Sequence, residues 1–258
     1  MFFQKLGRKT LEFWEFVYSW VAFLVKLSTS FDKSTRFKSY LEVISELGTK
    51  SLPVVAVMSI FVGGVMAVQS EYTLKKFGAE AFTGSAVALA VIRELSPVLT
   101  ALILIGRNGS SIAAETGVMK ITDQIDALRS MGINFVSYHL TPRFYGFVIT
   151  FPILTVFSMV IAIGSAYFFS VNVLGLSRGT FVTQMQSAVE AVDIYAGLVK
   201  TFFFGVIAGL VSIKKGFSCE ISSYGVNKAT TEAVVYASIA VLIADFVLTS
   251  LLVNYVFS

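Results

Sequence analysis

Long apolar runs dominate the chain, and five of them are long enough to cross a membrane. Crossing about 30 Å of hydrocarbon takes about 20 mostly apolar residues in a helix. The pattern therefore predicts an all-α integral membrane protein, with spans at about residues 52–69, 84–106, 143–170, 195–213 and 232–257. Proline favours the first turn of a helix. We expect Pro53 there in the first span, and Pro142 there in the third with Thr141 as its N-cap.

The first 31 residues differ from these spans. They are rich in aromatic side chains, and Glu15 and Lys26 frame an apolar run that is short for a crossing. This pattern favours an amphipathic helix in the headgroup layer, while a sixth span stays open as an alternative. Because Glu12 and Glu15 interrupt the apolar region, we read the segment as retained rather than cleaved. Residues 1–51 then form an N-terminal interfacial region before a transmembrane domain of residues 52–258.

Composition agrees with a membrane protein. The chain is 55% hydrophobic and only 14% charged, with a mean hydropathy of +0.78, whereas soluble domains carry roughly 25% charged residues. The single cysteine, Cys219, excludes a disulfide within the chain. No long repeat or flexible linker divides the sequence, so we expect one compact helical unit.

Lysine and arginine predict the orientation. Residues 1–51 carry eight of them, residues 107–143 carry four and residues 214–231 carry three, while the two alternate connections carry only two and one. Positive residues accumulate on the cytoplasmic side. The N-terminus and the 107–143 segment are therefore predicted to be cytoplasmic, with the C-terminus across the membrane.

Two charged residues, Arg93 and Glu94, stand side by side inside the predicted second span. Neighbouring helix residues do not face each other, so each side chain needs a separate partner. A charge at the bilayer centre costs at least about 2.5–3.5 kcal/mol. Two readings are open: a structural network that includes Asp245 or Lys200, or a polar cavity used in transport. Pro97 has no N–H and leaves a backbone carbonyl near Arg93 without its helical donor.

The connection at residues 107–143 predicts a short amphipathic helix. Apolar residues recur there at helical spacing, namely Val118, Ile121, Ile125, Leu128 and Met131. Thr122 is the expected N-cap and Gly132 the expected end. The helix could rest on lipid headgroups or fit a groove in a cytoplasmic partner. The GRNGSS run before it, residues 106–111, follows a span rather than a strand, so we interpret it as a helix break and not as a phosphate-binding loop.

Small residues recur every four positions in the fourth span, at Gly197, Thr201, Gly205 and Gly209. Such a stripe lets helices approach closely, and we favour packing within the subunit over packing between subunits. The chain has no G-x-x-x-x-G-K-[ST] motif, so it is not itself a P-loop ATPase. We expect the single histidine, His139, to be a loop residue. Nothing in the sequence points to an enzyme.

Two stretches resemble the MlaE/YrbE-type permease family. The first is IRELSPVLTALILIGRNGSSIAAETGVMKITDQIDALRSMGIN, followed by the TPR that opens the third span. The second is GVNKATTEAVVYASIAVLIADFVLTSLL, residues 225–252. The resemblance runs from about residue 45 to the end. It implies five spans preceded by an interfacial helix, in agreement with the hydropathy pattern.

That resemblance implies the permease subunit of an ABC transporter that moves phospholipids between a bacterial inner membrane and outer membrane. Family members form homodimers, bind two cytoplasmic ATPase subunits and dock an MCE-domain ring on the periplasmic side. Some complexes add a small STAS-type subunit. ATP is bound by the partner, so the permease needs no cofactor of its own. A related system serves the plastid envelope, so the plastid inner envelope is the second possible location.

The resemblance also implies roles for individual residues. Arg93 and Glu94 match a charged pair near the lipid-binding pocket between subunits, where the arginine would attract a lipid phosphate. The end of the first span and the following turn would line the same pocket through Gln69, Leu74 and Phe77. The 118–131 helix would be the coupling helix against the ATPase, with contact residues Glu115, Met119, Lys120, Asp123, Gln124 and Leu128.

Departures from the family pattern are few. Ser96 replaces a usual glycine, and Phe135 replaces a common proline, which leaves the path of that loop open. A proton-coupled secondary carrier using Glu94 and Asp245 is the alternative function. The sequence lacks the paired interrupted helices and internal repeat that are usual in carriers.

Overall fold

Seven helices lie between residues 37 and 255 of the described chain. The computed structural model describes Tyr18, Trp20, residues 22–25, Leu27, Thr29 and residues 37–255. The helices are α1 (Phe37–Lys75), α2 (Glu80–Ile121), α3 (Gln124–Ser130), α4 (Thr141–Asn172), α5 (Arg178–Ala188), α6 (Ala191–Phe217) and α7 (Ser223–Tyr255). Five of them, α1, α2, α4, α6 and α7, are long and apolar enough to cross a membrane. The predicted all-α fold with five spans is confirmed.

The helices extend beyond the apolar stretches from which they were predicted. Helix α1 begins at Phe37, so Pro53 lies inside it and not in its first turn as predicted. Pro142 does lie in the first turn of α4. The prediction that Thr141 caps this helix is wrong, because its hydroxyl donates to the Val136 carbonyl, 3.0 Å away, inside a preceding π-helical turn. A run of apolar residues indicates only the part of a helix that lies within the hydrocarbon layer, so the polar ends of these helices were not predicted.

Helix α2 contains two π-helical turns, at Val91–Leu95 and Ile105–Gly109. The second turn falls on the GRNGSS run, so the predicted helix break is wrong. The Asn108 side chain donates to the Leu47 carbonyl at 3.3 Å, which ties this turn to α1. A π-turn inserts a residue without ending the helix, and α2 therefore continues to Ile121.

Helix α3 starts later than predicted. Residues 118–121 still belong to α2, and the Thr122 hydroxyl donates back to the Val118 carbonyl at 2.9 Å instead of capping a new helix. The chain reverses at Asp123, whose φ of 54° is in the left-handed region. Gly132, with a φ of 73°, ends α3 as predicted. The amphipathic pattern thus spans two helices joined by a sharp turn.

Helix α4 lies at the centre of the bundle, between α1 and α6. A Cβ at Gly63 of α1 would lie 2.0 Å from the Ala162 carbonyl oxygen of α4. A Cβ at Gly205 of α6 would lie 3.0 Å from the carbonyl oxygen of Phe147, which is also in α4. The predicted packing of the small-residue stripe within the subunit is confirmed. Close backbone approach fixes α4 against both neighbours.

The connection between α4 and α6 holds the short helix α5, which the sequence pattern did not predict. Phe181 anchors it: the side chain is buried and packs edge-on against Tyr167, with ring centroids 5.7 Å apart. The backbone of α5 rests on Gly84, where a Cβ would lie 2.4 Å from the Phe181 carbonyl oxygen. Helix α5 therefore covers the end of the bundle opposite α3.

Described positions between Tyr18 and Thr29 are helical and pack on the bundle. Leu27 is fully buried, and Phe23 stacks on Phe217 of α6 at a centroid distance of 6.5 Å. Most residues of the predicted interfacial helix, including Glu12 and Glu15, lie outside the described residues. That this segment is an interfacial helix rather than a sixth span remains a prediction. The domain boundary at residue 51 also remains a prediction, although α1 continues through that position.

His139 is not a loop residue, so that prediction is wrong. It lies in the π-helical turn Val136–Leu140 and is buried. Its ring stacks on Phe135 at 5.2 Å, and Phe135 stacks in turn on Phe217 at 6.2 Å. This aromatic stack defines the path of the loop after α3 and holds it against the end of α6.

Candidate functional site

The first π-helical turn of α2, Val91–Leu95, carries Arg93 and Glu94. Pro97 follows one turn later and has no N–H to give to the Arg93 carbonyl. The side chain of Lys200 in α6 supplies the missing donor, with Nζ 3.0 Å from that oxygen. A lysine from another span thus donates to the carbonyl that Pro97 cannot serve. π-turns are frequent at functional sites.

Lys200 also binds the Glu94 carboxylate. Its Nζ lies 2.8 Å and 2.7 Å from the two carboxylate oxygens, and 2.6 Å from the hydroxyl of Thr249 in α7. Asp245, one turn before that threonine, brings an oxygen to 3.2 Å. The lysine side chain is only 2% exposed. One buried ammonium therefore joins three spans.

Arg93 binds a different partner, Asp193 at the start of α6. Its Nε and Nη2 lie 2.7 Å and 2.6 Å from the same carboxylate oxygen. The other oxygen of Asp193 accepts the Glu190 backbone N–H at 2.9 Å, and the Glu190 side chain completes a capping box. Asp193 therefore both holds the first turn of α6 and anchors Arg93.

These five residues form the charged network: Arg93, Glu94, Asp193, Lys200 and Asp245. It holds three carboxylates against two cations. Lys200 and Asp193 are 2% and 1% exposed, whereas the side chains of Glu94 and Arg93 are 41% and 35% exposed. The buried members thus hold two charged groups that reach an open surface. Such a network can bind a charged ligand if the ligand competes with the internal partners.

An apolar cavity of about 740 Å³ adjoins the network. It lies between α2, α4, α5 and the start of α6, and Ile92 and Ile194 in its wall are sequence neighbours of Arg93 and Asp193. The rest of the wall is mainly aliphatic and aromatic, including Met159, Tyr167, Phe181 and Met185. Ligand cavities of membrane-protein bundles commonly join such apolar walls to a few polar groups.

The other predicted pocket residues lie elsewhere. Gln69 and Leu74 are near the end of α1, and Phe77 is in the turn that follows, where its N–H donates to the Leu74 carbonyl at 3.0 Å. Gln69 and Phe77 are exposed, and none of the three lines the apolar cavity. Within the chain the structure does not bring them into the cavity beside Arg93 and Glu94. Their place in a pocket between subunits stays a prediction.

The predicted coupling residues divide into two groups. Lys120 is turned inward and donates to the carbonyl of Phe217, the last residue of α6, at 3.2 Å and to that of Cys219 at 2.7 Å. Glu115 forms an ion pair with Arg143 of α4.

Met119 and Leu128 are half-buried against the core. Asp123 and Gln124, at the turn before α3, are exposed. Only these last two of the six residues are free to present polar groups to a partner without breaking an internal contact.

Sequence reasoning named Lys200 and Asp245 as possible partners of the charged pair, but it missed Asp193. That residue lies just before the predicted start of the fourth span at 195. Its signal was the Glu190-x-x-Asp193 spacing at a helix start. The large cavity was also missed, because it depends on α5, whose polar composition hides its packing.

Comparisons with known proteins show the family to which this chain belongs. The family model described as Permease MlaE matches residues 40–251. The Haemophilus influenzae intermembrane phospholipid transport system permease protein MlaE is 37% identical over 80% of this chain and 79% of its own.

A probable ABC transporter permease protein of Rickettsia bellii is 34% identical over 95% of both chains. The chloroplastic protein TRIGALACTOSYLDIACYLGLYCEROL 1 of Arabidopsis thaliana is 34% identical over 83% of this chain and 61% of its own. The residues matched by the family model include most of each of the five spans. The chain belongs to the MlaE family of ABC transporter permeases.

Proposed function

We propose that this permease moves phospholipids between the inner and outer membranes of a bacterium. The proposal includes a homodimer, two cytoplasmic ATPase subunits that supply the energy, and an MCE-domain ring on the periplasmic side, with a STAS-type subunit as a possible addition. The Haemophilus relative, an intermembrane phospholipid transport system permease protein, supports the substrate and route. The chloroplastic relative makes the plastid inner envelope the second possible location.

The charged network beside the apolar cavity is the observation that carries this proposal. A phospholipid has a charged headgroup and apolar tails. The charged network suits the headgroup, and the apolar cavity suits the tails. Charges at membrane depth are costly and commonly mark transport pathways. A lipid phosphate at Arg93 would have to compete with Asp193, and a headgroup amine at Glu94 with Lys200. If headgroup atoms replaced Asp193 or Lys200 as partners, lipid binding would weaken ion pairs that hold the spans together.

The open face of α7 supports a dimer. In its most apolar stretch only 11% of the residues are buried, compared with 61% for α6. The partly exposed Asp245 belongs to α7, and Lys200 joins it to the Glu94 carboxylate of α2. A second copy against this face would close the network off from surrounding lipid.

Coupling to the ATPase is assigned to the turn at Asp123 and Gln124. Both side chains are exposed, and the turn lies at the end of α2, the same helix that carries Arg93 and Glu94. Force applied at this turn would therefore act on the helix that holds the network. Met119 and Leu128 would serve by packing the turn against the bundle.

The test is ATP-driven transfer of a fluorescent phospholipid by the chain reconstituted with its ATPase in liposomes. Asp123→Arg combined with Gln124→Ala should abolish both ATPase copurification and transfer. Lys38→Gln, at an exposed position on α1 far along the sequence from this turn, should preserve both. Transfer that needs no ATPase would contradict the proposal.

The carrier alternative keeps one specific observation in its favour, the excess of carboxylates. Glu94 and Asp245 share a single lysine, so one proton could neutralise the surplus charge. In the same liposomes, lipid transfer driven by a proton gradient without ATP would favour this alternative. Transfer driven by ATP with no gradient would exclude it.

A further inference from the structure

A second cavity, lined mainly by polar residues, lies at the α3 end of the bundle, far along α2 from the charged network. Its volume is about 250 Å³, and it lies between α1, α2 and the first turn of α4. Five charged residues line it: Glu46, Lys50, Arg107, Glu115 and Arg143. Three cations face two carboxylates, so the cavity carries a net positive charge.

Arg107 provides the excess charge. Lys50 is paired with Glu46 at 2.5 Å, and Arg143 donates to Glu115 with an Nε–Oε2 distance of 3.0 Å. Among the described residues, Arg107 has no carboxylate within 4.0 Å; its one hydrogen bond reaches the Ser51 hydroxyl at 3.5 Å. A guanidinium has five N–H donors in a fixed plane and suits a phosphate group.

The π-helical turn Ile105–Gly109 fixes the backbone from which Arg107 projects. The neighbouring Asn108 is buried, donates to the Leu47 carbonyl and accepts the Ser51 hydroxyl at 3.1 Å. These bonds lock the turn against α1. Buried Asn108, with its side-chain hydrogen bonds made, thus fixes the position of Arg107, while most N–H donors of the Arg107 guanidinium make no hydrogen bond with described residues.

Helix α1 continues from this cavity as an apolar stripe. Residues that line the cavity recur at helical spacing up to Lys50, and the same spacing then leads to exposed apolar residues, Val54, Val57, Met58, Phe61 and Val65. Residues three and four apart lie on one face of a helix. One face of α1 therefore joins a cationic cavity to an exposed apolar surface.

We propose that Arg107 binds the phosphate of an anionic phospholipid from the leaflet on the α3 side, with the lipid tails along this stripe of α1. The cavity is too small for a whole lipid but large enough for its headgroup. Positive-inside orientation makes this the cytoplasmic leaflet, where anionic lipids attract basic residues. The site is separate from the charged network and does not depend on lipid transport by the chain.

Native mass spectrometry of the full-length detergent-purified chain tests the proposal. The chain is titrated with phosphatidylglycerol, with phosphatidylcholine and with inorganic phosphate. Phosphatidylglycerol should bind in preference to phosphatidylcholine, and Arg107→Gln should weaken it about fivefold, the loss of one arginine–headgroup contact. Glu46→Gln, which raises the net charge of the cavity, should tighten it. Lys38→Gln, an exposed change outside the cavity, should leave binding unchanged.

Three results would overturn this assignment. Equal binding of phosphatidylglycerol by wild type and Arg107→Gln would remove the arginine from any lipid site. Inorganic phosphate binding as tightly as the lipid would indicate an anion site without a role for the tails. Loss of dimer or ATPase binding in Arg107→Gln, with lipid binding unchanged, would make this a protein contact. If Arg107→Gln fails to fold, the Glu46→Gln increase still decides, because misfolding does not tighten binding.

Discussion

At the residue scale, Lys200 is the centre of the charged network. It satisfies a backbone carbonyl that Pro97 leaves without a donor, and it neutralises carboxylates from two other spans. A charge buried without its partners is far less stable than a neutral side chain in the same place. The network therefore contributes to stability only as a complete set, and removal of one member leaves the others unpaired.

Lys200→Met should lower the free energy of unfolding by about 3 kcal/mol, at the low end for a broken buried pair because Glu94 is partly exposed. Thermal unfolding in detergent measures the change. The matched control is Lys228→Met, an exposed lysine at the start of α7. Adding Glu94→Gln and Asp245→Asn to Lys200→Met should restore much of the loss. Unchanged unfolding of the single variant would mean that the network is not structural.

Asp193→Asn should raise the affinity of Arg93 for an anionic headgroup. Asparagine keeps an oxygen for the helix cap but removes the charge that competes with the headgroup. We expect about fivefold more tightly bound phosphatidylglycerol, near 1 kcal/mol for one arginine contact, in a lipid titration by native mass spectrometry.

Asp126→Asn, which alters an exposed ion pair on α3, is the control and should have no effect. Reduced lipid binding by Asp193→Asn would show that Asp193 positions Arg93 for lipid rather than competing with it.

At the element scale, close backbone contacts hold α4 against its neighbours, in addition to its buried aromatic side chains. The shortest approach is at Gly63, where α1 crosses Ala162. Because membrane helices gain little from burying apolar surface, such contacts contribute much of their association. A single added methyl group there must push two long helices apart.

Gly63→Ala should destabilise the bundle by about 1–3 kcal/mol, the usual cost of overpacking. Gly164→Ala is the matched control on α4, since a Cβ there meets nothing within 4 Å. Thermal unfolding of the two variants should separate them clearly. Similar stability of both would indicate that α1 and α4 move apart at little cost.

The helices that sequence predicted well are those whose signal is local. Twenty apolar residues define a span, and Gly132 marks the end of α3, because these depend on hydrocarbon thickness and backbone freedom. Tertiary contacts decided the rest. Asn108 holds the π-turn that continues α2 through a glycine-rich run, and Phe181 docks α5 although its sequence is polar. The sequence singled out Arg93 and Glu94 because charges within a membrane span are costly. Only the structure identified Asp193 as the partner of Arg93.

At the scale of the whole molecule, the two polar regions lie toward opposite ends of the bundle. The charged network includes the first turn of α6, whereas the end of α6 is held by Lys120 beside the turn into α3. Lysine and arginine counts predict that the α3 end is cytoplasmic. We then expect the open end of the network to face the opposite side of the membrane.

Labelling of single cysteines tests this orientation in a Cys219→Ala background. Phe77→Cys and Met131→Cys are matched by exposure, at 80% and 65%, but lie in the turn after α1 and after α3. A membrane-impermeant maleimide should label residue 77 in cells with a permeable outer membrane, and residue 131 only after the inner membrane is opened. The reverse pattern would invert the orientation.

Helices α2 and α6 are fastened to each other at two distant levels. Arg93 and Glu94 bind α6 near its beginning, and Lys120 binds the carbonyls at its end. At 1.5 Å per residue these attachments are about 40 Å apart along α2. Two helices joined at both levels resist sliding past each other or moving apart. We therefore expect a push on the turn at Asp123 to move both helices together, so that a displacement at one membrane surface reaches the other.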